Sequence, residues 1–449
     1  MISDFITIDK TNATPIYQQI YNTIKTAIEN GSLKDNEKIP SVRKLCSDLG
    51  VSKTTVETAY NLLRAEGYII NYPQKGYYVE KGLLFEEKKQ KHNTEAIDKN
   101  VYIKYDFSGK GIDKNCNNIK DWRKYVKDIL NKEYLLNTYS ENQGEEELRK
   151  AIAKYAFSTR GANADYRNII IGSGSQTLIY ILCGLLGINK RVAIEKHFFP
   201  QAEQVFDDFE YKLSYTQNDS KGVTTDSIKK INPDILLINT NHNSKNGTGT
   251  PLVRKLDIIN QCKSSNCLII EDDYNGELRY KTHPQACIQS YSPENTVYIG
   301  SFSKILMPSV RISYMILPSY LFERYEKIKE RYNQTTSKIE QLALARYIND
   351  LKLEKHLRKS RRYYKAKSEY VQAILQKSFD KFILNETSMY YEIPIKTHSI
   401  KQELIKNGVR IMSTSTDEFI RINFSQIDEE LIEDGIRIIK TICKKNKAC

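Results

Sequence analysis

The sequence predicts an α/β protein: a small helical head, then a large domain whose helices cover a mostly parallel sheet. Two observations predict it. Up to residue 80, three amphipathic runs carry their own start and stop residues and are followed by two short β-rich runs. Beyond about Lys104, near-continuous apolar runs ("NIIIGSG", "RVAIE", "DILLINT", "CLIIEDD", "TVYIGS") alternate with helical stretches, the pattern of strands covered on both faces. At 449 residues the chain has room for two or three domains.

The first run, "PIYQQIYNTIKTAIE", puts Ile16, Ile20, Ile24, Ala27 and Ile28 on one helical face, with Thr14 as N-cap, Pro15 at the first helical position and Gly31 as the stop. Ser41 caps a second helix, "VRKLCSDLG", which Gly50 ends. Ser52 caps a third, "KTTVETAYNLLRAEG", which Gly67 closes. Two short helices joined by a Gly-Val turn form a helix-turn-helix, whose second helix enters the major groove of DNA by its N-terminal residues. Lys53, Thr54 and Thr55 are the expected base-reading residues, next to the cap Ser52, while Ser41 and Arg43 fall where backbone phosphates pass. "YIINYPQKGYYVE" reads as a hairpin wing with Lys75 and Gly76 at its tip. A plain helical bundle is the alternative. The order of the pieces in "IPSVRKLCSDLGVSKTTVETAYNLLRAEGY" resembles the winged helix-turn-helix of GntR-type bacterial regulators, over residues 14 to 79. That resemblance implies a double-stranded DNA operator as partner.

Residues 81–104 mix charge blocks without periodicity and read as a linker between a head at 1–80 and a large domain at 105–449. The net charge is +13, yet residues 1 to 80 balance nine basic against nine acidic side chains. The excess therefore lies downstream, notably in "KLEKHLRKSRRYYKAK" at 352–367. That helix is either a solvated face or a DNA contact through Arg358, Arg361 and Arg362. No window approaches the roughly eighteen apolar residues of a membrane span. The N-terminus does not read as a signal peptide, so a cytoplasmic protein is expected. The eight cysteines are scattered, and Cys262 and Cys267 lack zinc-type spacing, so reduced thiols and no metal site are expected.

In the large domain each polar cluster follows a strand, where ligands of such sheets gather. Ser173, Gly174 and Ser175 stand at a strand-to-helix junction whose free N–H groups favour a phosphate. In "EDDYN", residues two apart face the same way, so Asp272 and Tyr274 can address one ligand while Asp273 points elsewhere; structural ion pairing is the alternative. Lys304, in "SFSK", can form a Schiff base with an aldehyde cofactor, and Ser301, Ser303 and Arg311 can share that cofactor's phosphate.

This constellation resembles the fold-type I aminotransferases that use pyridoxal 5'-phosphate, and its fusion to a GntR head resembles the MocR/GabR subfamily of regulators. By that resemblance Lys304 holds the cofactor as an internal aldimine, Asp272 meets the pyridine nitrogen, Tyr274 the ring oxygen, and Phe199 stacks on the ring. Tyr139 reaches the phosphate of a neighbouring subunit in a domain-exchanged homodimer, and Arg421, in "FIRINFS", binds the effector's carboxylate. The implied function is a regulator sensing an amino acid or amine through external aldimine formation; a working aminotransferase, or a regulator sensing the cofactor itself, are the other readings. One stretch departs from the family. Where a Thr-Pro-x-His-Gln-x-Pro-x-Gly turn is expected, "NTNHNSKNGTG" (239–249) lacks both prolines, with His242 at the histidine position and Asn243 at the amide beside the cofactor.

Overall fold

A computed structural model describes residues 6, 8–9, 14–80, 102–196, 199–241, 248–281, 285–386, 389–395, 400–412 and 418–446. Two compact units emerge, Met1–Lys99 and Asn100–Cys449. Asn243 and His242 lie outside the described residues, as do 81–101 of the expected linker. Lys104 is already engaged, its N–H donating to Gly408 O at 3.0 Å.

In the first unit α1 (Ile16–Glu29) buries Ile20, Ile24 and Ile28. Pro15 takes the cap position expected of Thr14, and no side chain caps this helix. The Ser41 hydroxyl accepts from Lys44 N to start α2 (Val42–Leu49), and Gly50, at φ +62°, ends it. Ser52 does the same through Thr55 N for α3 (Lys53–Ala65). The wing pairs β1 (Ile69–Tyr72) antiparallel with β2 (Gly76–Val79), Tyr72 opposite Gly76. Leu45, Val56, Tyr60, Leu63, Ile69 and Val79 close the core between helices and wing.

The second unit opens with β3 (Tyr105–Phe107), α4 (Ile119–Leu130), α5 (Glu133–Leu136) and α6 (Glu146–Arg160). The sheet-forming part runs β4 (Ile169–Gly172), α7 (Ser175–Leu186), β5 (Arg191–Glu195), α8 (Pro200–Asp208), β6 (Lys212–Thr216), a small hairpin of β7 (Asn218–Asp219) and β8 (Gly222–Val223), α9 (Thr225–Ile231), β9 (Ile235–Ile238), α10 (Leu252–Ser264), β10 (Leu268–Asp272), β11 (Thr296–Ser301) and β12 (Ser313–Ile316). Then come α11 (Ser319–Ile328), α12 (Lys338–Asn349), the long α13 (Lys352–Gln376), β13 (Ile383–Asn385), β14 (Tyr390–Ile393), α14 (Lys401–Lys406), β15 (Val409–Ile411), β16 (Ile420–Asn423) and α15 (Glu429–Lys445).

The seven-stranded sheet has the order β4-β12-β11-β10-β9-β5-β6. All neighbours are parallel except β12, which is antiparallel to both β11 and β4. β4, β9 and β10 are buried throughout, as apolar runs between two helical layers must be. Because β12 runs backwards, its first residue, Ser313, pairs with Gly172 and with Ser301, the last residues of β4 and β11. This brings the chain around Arg311 to the edge where the parallel strands end. A three-stranded antiparallel sheet, β13-β14-β16, packs Tyr391, Ile393, Ile420 and Ile422 into the core that also takes residues of α13 and α15. No described helix is long and apolar enough to cross a membrane.

Candidate functional site

The site gathers at that C-terminal edge. Gly174 immediately precedes α7, at φ +154°, a region that side chains disfavour; a Cβ there would lie 2.8 Å from Arg311 Nη2. The Arg311 guanidinium thus lies against a bare helix start. Ser301, Ser303 and Ser313 line the adjoining strand ends: Ser313 Oγ donates to Ser301 Oγ at 3.0 Å, and Ser303 N to the same oxygen at 3.3 Å. Ser173 N donates to Thr335 Oγ1 at 3.1 Å.

Asp272 ends β10 and is buried. Burial first, then the charge of Asp273, pushes its carboxyl up to about 7, opposed by a hydrogen bond with the Ser175 hydroxyl. The half-buried Tyr274 has its phenol raised by burial, with Asp272 adding to the rise, so the two groups address one space. Asp273 turns the other way. It takes Arg160 Nε at 2.5 Å, Tyr298 Oη at 2.6 Å and the Asn241 amide, all buried. The Arg160 guanidinium holds this carboxyl below its usual range against the penalty of burial. The cluster extends to Glu277, which burial and then Asp273 push up to about 7.

Lys304 lies three residues beyond β11. Burial lowers its pKa to about 8. Its Nζ donates to Gly109 O at 2.6 Å and Gly111 O at 2.8 Å, with Ser425 Oγ at 3.4 Å. Gly109 is at φ +72°, and any Cβ there would collide with the Asn423 side chain. These partners were absent from the sequence reading, although "SGKG" just after the first short strand of the unit is a visible signal. The loop they belong to is anchored by buried Asp113, which pairs with Lys367 of α13 and accepts from Tyr363 Oη at 2.9 Å.

The remaining expected residues are placed as follows. Phe199 immediately precedes α8, partly buried against the core. Tyr139 is fully exposed and far from burial of any kind within its own chain, its carbonyl accepting from Lys338 Nζ at 3.2 Å. Arg421 lies on β16 and donates from Nε to Glu392 Oε2 at 3.0 Å. In the head, Ser41, Arg43, Ser52, Lys53, Thr54 and Lys75 are exposed, Thr55 and Gly76 partly so. Ser52 Oγ also bonds the Thr54 and Thr55 hydroxyls, at 2.9 and 2.7 Å, and Lys53 pairs with Glu57 at 3.3 Å. On α13, Arg358 and Arg362 are exposed, whereas Arg361 turns inward and donates to Glu277 O at 2.6 Å, so it belongs to the packing and not to a shared basic face.

An amine of lowered pKa, a buried carboxylate, and a cation beside a helix start that any Cβ would fill are the donor set that pyridoxal 5'-phosphate requires, and these residues fit it. The matched families agree with this geometry. Residues 110–439 match the aminotransferase class I and II family and residues 16–79 the gntR family of bacterial regulatory proteins. The chain belongs to the MocR/GabR subfamily of GntR-type regulators. This regulator is 31% identical over 423 residues to the uncharacterized HTH-type transcriptional regulator YdeL of Bacillus subtilis, covering 91% of each chain. It is 24% identical to the pyridoxine biosynthesis regulator PdxR of Corynebacterium glutamicum, covering 84% of this chain and 82% of that one. Its fold matches that of Pyrococcus horikoshii kynurenine aminotransferase with a TM-score of 0.70 at 21% identity, over 78% of this chain and 93% of the other.

Proposed function

We propose that this regulator holds pyridoxal 5'-phosphate at the sheet edge, exchanges Lys304 for the amine of an amino-acid or amine effector, and thereby changes how its heads engage a duplex DNA operator. The observation that carries this is Lys304 itself: a buried amine with its pKa near 8, at the same strand ends as Asp272 and the Gly174–Arg311 cradle. When bound, the cofactor supplies an aldehyde that condenses reversibly with a primary amine, and a phosphate anion.

The chain's residues divide the work. Lys304 must shed a proton and its bonds to Gly109 and Gly111 before its lone pair is free, and burial makes the proton loss easy near neutrality. Asp272 would face the ring nitrogen, where an adjacent cation would keep the carboxylate charged. Tyr274 would meet the ring oxygen, Phe199 the ring face, Arg311 with residues 173–175, Ser301 and Ser303 the phosphate, and Asn243 the ring's outer edge. A homodimer with exchanged domains would bring the partner copy's equivalent of the exposed Tyr139 to the phosphate. In the head, Ser41 and Arg43 would touch backbone phosphates, Lys53, Thr54 and Thr55 the base edges beside Ser52, and Lys75 and Gly76 the flanking groove. An effector has to favour one arrangement of the protein over another, since equal binding to both shifts nothing.

The test is the visible absorption of protein supplied with pyridoxal 5'-phosphate. Wild type should show a band that disappears in Lys304→Ala and moves on adding effector amines. A wild type without that band would refute the reading.

A further inference from the structure

Arg421 stands directly across from Glu392 in the β14–β16 ladder and is ion-paired with it at 3.0 Å. Its guanidinium carbon lies 5.0 Å from the Tyr390 ring centroid and 4.9 Å from that of Phe419, so two aromatic rings flank the cation and shield the pair from water. Alternation along the strands sends Tyr390, Glu392, Arg421 and Asn423 to one face while Tyr391, Ile393, Ile420 and Ile422 enter the core. The first face is the one toward Lys304: Asn423 abuts Gly109, whose carbonyl receives the Lys304 ammonium. Tyr390 also lies within the field of Glu195, at the end of β5. The cation that a ligand at Lys304 would meet therefore already has a carboxylate, and a second carboxylate faces the same space.

A ligand carboxylate could reach Arg421 only by displacing Glu392, which would then stand unpaired beside a like charge. We propose that Glu392 sets the ligand class of this site: it supplies the carboxylate of Arg421 from within the chain, so the effector is a primary amine without a carboxylate on its amine-bearing carbon. This rests on the reading that effector amines are taken up at Lys304.

The experiment titrates full-length, cofactor-loaded protein with L-alanine and with ethylamine, which differ only by that carboxylate, following the visible band. Wild type should bind ethylamine at least as tightly as L-alanine. Glu392→Gln should gain about tenfold for L-alanine relative to ethylamine, and Glu392→Asp, which keeps the charge, should retain the wild-type order. Tighter binding of L-alanine by wild type, or an unchanged ratio in Glu392→Gln, overturns the proposal; the wild-type ratio decides if the variant does not fold. A band that never forms, or that answers neither amine, instead brings down the underlying reading of Lys304 and this one with it, so the two failures are told apart.

Discussion

In the head, each of α2 and α3 begins at a serine that accepts a hydrogen bond from the N–H three residues on, and each ends at or one residue before a glycine with positive φ. In the large unit, the groups around Lys304 come from Gly109, Gly111 and Ser425, and those around Asp273 from Arg160, Asn241 and Tyr298. The difference is one of range. Head structure is set by contacts within a few residues, each contributing about 1 kcal/mol, whereas the large unit depends on charges that burial would make costly if any partner were missing.

Breaking the long-range side should give the largest effect. Arg160→Leu leaves Asp273 buried without its cation, and the expected loss is roughly 3–5 kcal/mol. The chain's single tryptophan, Trp122, is buried in the large unit, so its fluorescence during urea unfolding reports that unit alone. An unchanged midpoint would show that the Arg160–Asp273 pair adds nothing to stability.

A middle-sized effect concerns pH. The Lys304 pKa is lowered, to about 8, so the free amine is present above that value and protonated below it. Between about pH 6.5 and pH 9 the free-amine fraction rises roughly thirtyfold. The initial rate of cofactor loading, followed by absorbance, should climb through pH 8 by about that factor; a rate flat across this range would contradict a lowered Lys304 pKa.

The local side should give the smallest effect. Ser52→Ala removes the cap of α3 and the hydroxyl that holds Thr54 and Thr55, at a cost of about 1 kcal/mol. Circular dichroism should detect a destabilised head and a gel-shift assay weaker DNA binding, with Trp122 fluorescence unmoved. Should Trp122 respond, the independence of the two levels of specification would be wrong.

Much of the architecture was legible. The apolar runs became β4, β5, β9, β10 and β11, because a strand covered on both faces has to be apolar along its length. Edge strand β6, "KLSYT", was not legible, since one side of it meets solvent and its pattern is mixed. The split of Asp272 from Asp273 followed from strand alternation, but Arg160 as the partner of Asp273 did not, being 113 residues away. Arg361 carried the same charge in the sequence as Arg358 and Arg362, and only its inward turn onto Glu277 sets it apart.

By itself the sequence determined the helix boundaries of the head, the strand composition of the large sheet and the residue types offered at the strand ends, because capping, turn formation and double-sided burial act over a few residues. The tertiary structure decided which of those residues meet. The reversal of β12 carries the chain at Arg311 to the edge beside Gly174, and the pairing of β14 with β16 gives Arg421 its carboxylate from Glu392. Charges distant in sequence find each other only when the folded core removes the water that would otherwise screen them.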